Sequence, residues 1–209
     1  MSQFKHNHRN LVSSRHFIII GLWLIAQSLT IIHAQEQTPS EISFAVIGDF
    51  GNTGVNAHAV SLLINNWIPD FIITIGDNAY GDHDIDDQIG AHYSQYIGDY
   101  AGNYGDGSET NRFFPVLGNH DYSDGGGLEA YESYFTLPGK GISSSESSNN
   151  ERYYDFIMDD IHFFVVNSNS DEPDGVADDS IQAHWLQNIM SISPYQWKVV
   201  LLHHSPFSS

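Results

Sequence analysis

Two features of the chain predict an α/β domain. Short apolar runs that do not alternate with polar residues are joined by a segment of helical spacing, the pattern of strands buried on both faces. Four of those runs also end in polar residues: Asp49, Asp77, Asn119-His120 and His203-His204. In an open α/β sheet such residues gather at the carboxyl edge of the strands, where ligands bind.

Taken in order, residues 42–47 form a compact apolar run that ends in Gly48-Asp49, a strand followed by a loop. Residues 55–67 have helical periodicity, with Val55, Ala59, Leu62, Leu63 and Trp67 near one face and Pro69 beyond. Residues 71–75 predict a second strand, again ending in Gly-Asp. The span 81–111 is rich in Asp, Gly and Tyr, and its spacing predicts one helix around residues 86–96 within loops. Residues 113–117 predict a third short strand. Residues 139–151, rich in Ser, Gly and Asn, predict a surface loop. Residues 153–157 and 162–167 form a hairpin pair around 158–161. A short amphipathic helix over 181–190 precedes a final apolar strand over 198–202.

The chain has 209 residues, 41% of them hydrophobic, enough for one domain with its own core. Its net charge is -19, and the charge is unevenly placed. Lys5, Arg9 and Arg15 precede the first acidic residue. Beyond them stand only Arg112, Lys140, Arg152 and Lys198, against 26 acidic residues. Such a chain offers no basic face to nucleic acid or to anionic lipid. With no cysteine, it has no disulfide, thiolate site or cysteine nucleophile, so any metal must sit on oxygen and imidazole ligands.

The first 34 residues have the form of an export signal. A basic start leads into a mostly apolar run over 17–32, and Ala34 precedes the expected cut. The run is short for a membrane span; an uncleaved anchor is the alternative. The expected organisation is a signal peptide at 1–34, a polar linker at 35–41 and a domain at 42–209. The protein is then secreted or periplasmic, with no stable membrane association after cleavage.

Each polar motif alone is ordinary. Gly-Asp after a strand is a common turn, since Asp bonds its own backbone there. Asn119-His120 alone reads as loop or cap, Tyr80 as a half-buried aromatic, and a lone His204 as a surface histidine. The four acidic residues Asp82, Asp84, Asp86 and Asp87 lack the Gly and Glu of an EF-hand loop and read as solvated. His162 reads as structural.

Together, GDFG at 48–51, GDNAY at 76–80, GNHD at 118–121 and LLHHSP at 201–206 resemble the calcineurin-like metallophosphoesterase superfamily, and within it the purple acid phosphatase branch. The resemblance runs from residue 42 to 209. It implies a metallophosphoesterase-type αββα sandwich, incomplete at its C-terminus. Most of that superfamily carry a His two residues after the first Asp; here the position is Gly51. The purple acid phosphatases instead carry a Tyr three residues after the second Asp, here Tyr80. A phenol, with a pKa near 10, is a poor ligand for a divalent ion at neutral pH. A trivalent ion can displace its proton.

The resemblance therefore implies a metal-dependent hydrolase with two ions, Fe(III) beside a divalent ion such as Zn, Fe or Mn. Asp49 and Tyr80 would bind the ferric ion, Asp77 would bridge, and Asn119 and His204 would bind the second metal. His204 is favoured over His203 because the family's ligand stands two residues before a Pro, here Pro206. His120 would contact the substrate phosphate or protonate the leaving oxygen, with Asp121 able to orient it. The implied reaction is hydrolysis of a small-molecule phosphate monoester by two-metal-activated water. Phosphodiesters or nucleotides are the enzymatic alternative, and an inactive metal- or phosphate-binding secreted domain is the alternative of another class. The family's further Gly-His-x-His motif does not occur before Ser209. The expectation is a sequence cut from a longer protein, or otherwise a metal-poor short form.

Overall fold

The computed structural model describes residues 41–145 and 148–207; the expected signal peptide and the linker up to residue 40 lie outside the described residues. The first sheet holds three parallel strands, β1 (Phe44–Ile47), β2 (Phe71–Thr74) and β3 (Phe113–Phe114), with β2 in the centre. Phe44 lies opposite Phe71, and Ile72 opposite Phe113. The second sheet is mixed. β4 (Tyr154–Met158) and β5 (Ile161–Val165) form an antiparallel hairpin, and β6 (Trp197–Leu201) lies parallel to β5 with Val165 opposite Leu201.

The two sheets pack face to face through an aromatic core. Phe71, Ile73 and Phe114 from one meet Phe156, Phe163 and Val165 from the other, all fully buried. The Phe114 and Phe156 rings stack at 3.8 Å, and Phe156 and Phe163 at 4.7 Å. Truncating one such ring to Ala costs about 3–5 kcal/mol. The outer face of the first sheet carries α1 (Val55–Trp67), α2 (Ile85–Gln88), α3 (Gly90–Tyr93) and α4 (Gly127–Tyr134), which place Ile64, Ile89, Tyr93 and Tyr131 against Ala45, Ile72 and Phe113. The outer side of the second sheet meets α5 (Ile181–Ile192): Trp185 packs on Tyr153 at 4.9 Å, and Ser193 at the end of α5 bonds His162 on β5. The layers run α-β-β-α, as the resemblance implies.

Four local expectations are corrected. The predicted third strand shrinks to two paired residues, because Pro115 has no N–H to give a ladder. The helix expected over 86–96 breaks into α2, α3 and a 3₁₀ turn, with Ile89 between the first two. Its Asp86 is not solvated: it is 5% exposed, and its carboxylate accepts from Tyr100 Oη, Tyr134 Oη and both nitrogens of Asn103. Finally, α1 has the predicted bounds but the opposite orientation. Ser61 and Ile64 are its buried residues, while Val55, Leu62, Leu63 and Trp67 are exposed. Ile64 is the residue it places in the core beside Ala45 and Ile72. α4 was not anticipated, since three glycines open it at 125–127; the spacing of Leu128, Tyr131 and Phe135 was its signal.

Candidate metal centre

β1 and β2 end in the same way. Each runs into Gly-Asp, and each Asp adopts a left-handed backbone, Asp49 at φ 53° and Asp77 at φ 55°. Non-glycine residues in that region carry strain that persists where the surroundings over-determine it, commonly at functional sites. Here two bonds bind one loop to the other: Asp49 N–H donates to Gly76 O at 3.0 Å and Gly51 N–H to Asp77 O at 3.2 Å. The two carboxylates are thereby held side by side.

Asp77 is the most enclosed member of the group, 3% exposed. Its Oδ2 accepts from Tyr80 Oη at 2.8 Å and its Oδ1 from His120 N–H at 3.0 Å. Tyr80 Oη also lies 3.4 Å from Asp49 Oδ1. Burial raises the Tyr80 phenol well above its ordinary pKa, and the bond and charge of Asp77, with the charge of Asp49, add to this. Without a cation the phenol is a proton donor that screens the carboxylates from each other.

The GNHD segment reaches the same point from β3. Its Gly118 is required there, since a Cβ would collide with the Asp77 carboxylate. Asp121 does not orient His120, contrary to the expectation. It is buried, and its carboxylate accepts from Gly118 N, Asn78 N, Asn78 Nδ2 and Ala79 N at 2.8, 2.8, 2.9 and 3.1 Å, joining the loops after β2 and β3. Burial pushes its pKa up to about 6 in spite of those donors. The partner of His120 is Asp124, whose Oδ2 lies 2.7 Å from Nδ1 and also accepts from Gly81 N–H. Asp124 raises the His120 pKa, chiefly through that bond. The His120 ring rests on Tyr80 with centroids 4.5 Å apart.

The histidine at the cluster is His203, not His204. His203 Nδ1–H donates to Ile75 O at 2.8 Å, and its Nε2 lies 3.3 Å from Asn119 Oδ1 and 3.5 Å from Asp77 Oδ1. His204 turns the other way, with Nδ1 2.9 Å from Ser168 Oγ and its backbone N–H donating to the same hydroxyl. The two rings meet edge-on with centroids 4.8 Å apart in the bend after β6, and they differ in the partner each finds. Position relative to Pro206 favoured His204; the Ile75 carbonyl receives His203.

Asp49, Asp77 and His203 offer ligand atoms that all lie within 4.8 Å of one another. With Tyr80 and Asn119 alongside, the group holds carboxylate, phenol, amide and imidazole donors and no Lys or Arg. Two adjacent carboxylates with an imidazole beside them suit a hard or borderline cation. A cleft of about 490 Å³ opens beside Asp49, lined by Phe50, Asn52 and the first turn of α1.

The model of the calcineurin-like phosphoesterase family matches residues 42–209. The chain belongs to that family. It is also 31% identical over 102 residues to purple acid phosphatase 7 of Arabidopsis thaliana, a match that covers 46% of this chain and 29% of that relative. The relative lies in the purple acid phosphatase branch that Tyr80 and Gly51 suggested. Gly51 itself explains one departure from the wider family. A side chain there would run into the backbone of Asn78 and Ala79, so the position is closed to the usual histidine. Among the described residues no helix is long and apolar enough to cross a membrane.

Proposed function

We propose that the protein is a secreted phosphoesterase that hydrolyses phosphate monoesters at a two-metal centre. The observation that carries this reading is the approach of Asp49, Asp77 and His203 within 4.8 Å, with the Tyr80 phenol on Asp77. Asp49 and Tyr80 would hold a ferric ion, Asp77 would bridge, and Asn119 and His203 would hold a divalent ion. The sequence pattern favours His204 in the last role; the placement of His203 Nε2 beside Asn119 and Asp77 favours His203. A bound cation pair supplies Lewis acidity toward phosphate oxygens and makes hydroxide available at neutral pH.

The chain's own groups do the rest. Asp49 and Asp77 repel an anionic ester unless their charge is met, so binding of ester and of cations is coupled in this acidic protein. His120 holds its Nδ1 proton on Asp124, which aims Nε2 away from that carboxylate. In this reading Nε2 donates a proton to the departing ester oxygen.

The test is metal analysis with assays on p-nitrophenyl phosphate and its bis-ester, using this chain and a longer polypeptide. The expected result is bound iron with a divalent metal and a preference for the monoester. Iron-loaded protein should absorb in the visible, and Tyr80→Phe should abolish that band. Monoester hydrolysis that survives Asp77→Ala overturns the mechanism.

A further inference from the structure

Backbone pairing within each sheet fixes the strands of that sheet, but it does not fix how far apart the loops of the two sheets stand where they meet at the candidate centre. Asn119 and His120 follow β3 of the first sheet, whereas His203 and His204 follow β6 of the second. A buried polar network spans that gap. At its centre is Glu172, in the loop after β5, with a side chain fully shielded from solvent. Its carboxylate takes Arg152 Nε across both oxygens at 3.0 and 3.2 Å, Asn167 Nδ2 at 2.6 Å, Asp174 N at 3.1 Å and Tyr122 Oη at 3.3 Å. Asn167 Nδ2 also donates to Tyr122 Oη at 2.7 Å.

The two ends of the network are informative. Tyr122 closes the 3₁₀ turn His120–Tyr122 that carries His120. Asn167 precedes Ser168, whose hydroxyl holds His204 next to His203. A chain with four basic residues beyond its first 16 places one of them, Arg152, against this carboxylate. A buried carboxylate is retained only when it is paired and hydrogen-bonded, and two of the donors here, Tyr122 and Asn167, lie on segments that lead to the centre.

We propose that Glu172 is a positioning residue that acts through Tyr122 and Asn167 to set the separation between the Asn119-His120 turn and the His203-His204 segment. The inference rests on the metal-centre reading given above. Residues that orient ligands without touching the metal commonly change its affinity 10- to 100-fold.

The test is Co(II) affinity, followed by its absorption spectrum, alongside the thermal midpoint, in the full chain and its variants. Tyr122→Phe cuts the link while leaving Glu172 on Arg152; Glu172→Gln keeps the shape and removes the charge. Both should weaken Co(II) binding about tenfold or more, and Tyr122→Phe should do so with its thermal midpoint little changed. Glu132→Gln, which meets only the outer nitrogen of Arg152, should leave affinity intact. Tyr122→Phe that binds Co(II) like the unaltered chain, or that loses affinity only in step with unfolding, overturns the inference. If Asp77→Ala leaves Co(II) binding unchanged, the metal-centre reading fails and this inference with it. If Asp77→Ala abolishes binding while Tyr122→Phe does not, only this inference fails.

Discussion

Gly51 offers a sharp test of how the two Asp-bearing loops are packed. A methyl group added there would overlap the carbonyl carbon and oxygen of Asn78 and the nitrogen of Ala79, all backbone atoms that cannot rotate aside. The loops must then part, which stretches the bond from Gly51 N–H to Asp77 O. Overpacking of this kind costs about 1–3 kcal/mol, and a lost backbone hydrogen bond adds about 1 kcal/mol. Gly51→Ala should therefore destabilise the fold by about 2–4 kcal/mol. In urea, with a mid-range slope of about 2 kcal/mol per molar, the midpoint should fall by roughly 1–2 M. Gly51→His should do the same and gain no metal affinity, although it restores the histidine found at this point in most of the superfamily. An unchanged midpoint for Gly51→Ala, or tighter metal binding by Gly51→His, would refute the packing argument.

His203→Ala should weaken Co(II) or Zn(II) binding at least tenfold and His204→Ala by much less, read by metal titration; the reverse order would assign the ligand to His204. Asp86 has a pKa below its ordinary 3.8 because donation by Tyr100, Asn103 and Tyr134 outweighs the cost of burial. A depressed carboxylate stabilises the fold above its unfolded pKa and loses that contribution as pH falls through the folded one. Asp86→Asn should thus be less stable than the unaltered chain at pH 7, and the gap should narrow below about pH 3.8, as measured by urea unfolding across pH. His162 and Asp155 are a buried pair, Nε2 to Oδ2 at 2.8 Å. His162→Ala leaves the Asp155 carboxylate with the Ser145 N–H and should cost about 1–3 kcal/mol by the same measurement.

Much of the fold was legible because burial on both faces leaves a plain trace. Phe71 to Thr74 is fully buried and reads as an unbroken apolar run, and the hairpin of β4 and β5 is announced by its two apolar halves around Asp159-Asp160. Where legibility failed, a second influence was at work. Pro115 ended β3 early. The acidic run at 82–87 looked like solvated surface, yet Asp86 faces inward because Tyr100, Tyr134 and Asn103 arrive from 14, 48 and 17 residues away. Periodicity gave α1 its bounds. It could not give α1 its rotation, which buries Ser61 and Ile64 instead of the apolar stripe.

The candidate centre was legible in kind but not in every member. The four motifs taken together, through their resemblance to the metallophosphoesterases, pointed to Asp49, Asp77, Tyr80 and Asn119; each alone reads as a turn, a cap or a half-buried aromatic. His203 and Asp124 were not legible, because each is selected by a tertiary partner. The carbonyl of Ile75, 128 residues away, accepts from Nδ1–H of His203 and turns Nε2 toward Asn119 and Asp77. Gly81 N–H fixes Asp124 so that it meets His120 one turn later. Both histidines are oriented by a neighbour that bonds Nδ1, Asp124 for His120 and the Ile75 carbonyl for His203. A pair such as His203-His204 is therefore decided by which ring finds a carbonyl to hold its proton, and motif spacing alone does not contain that information.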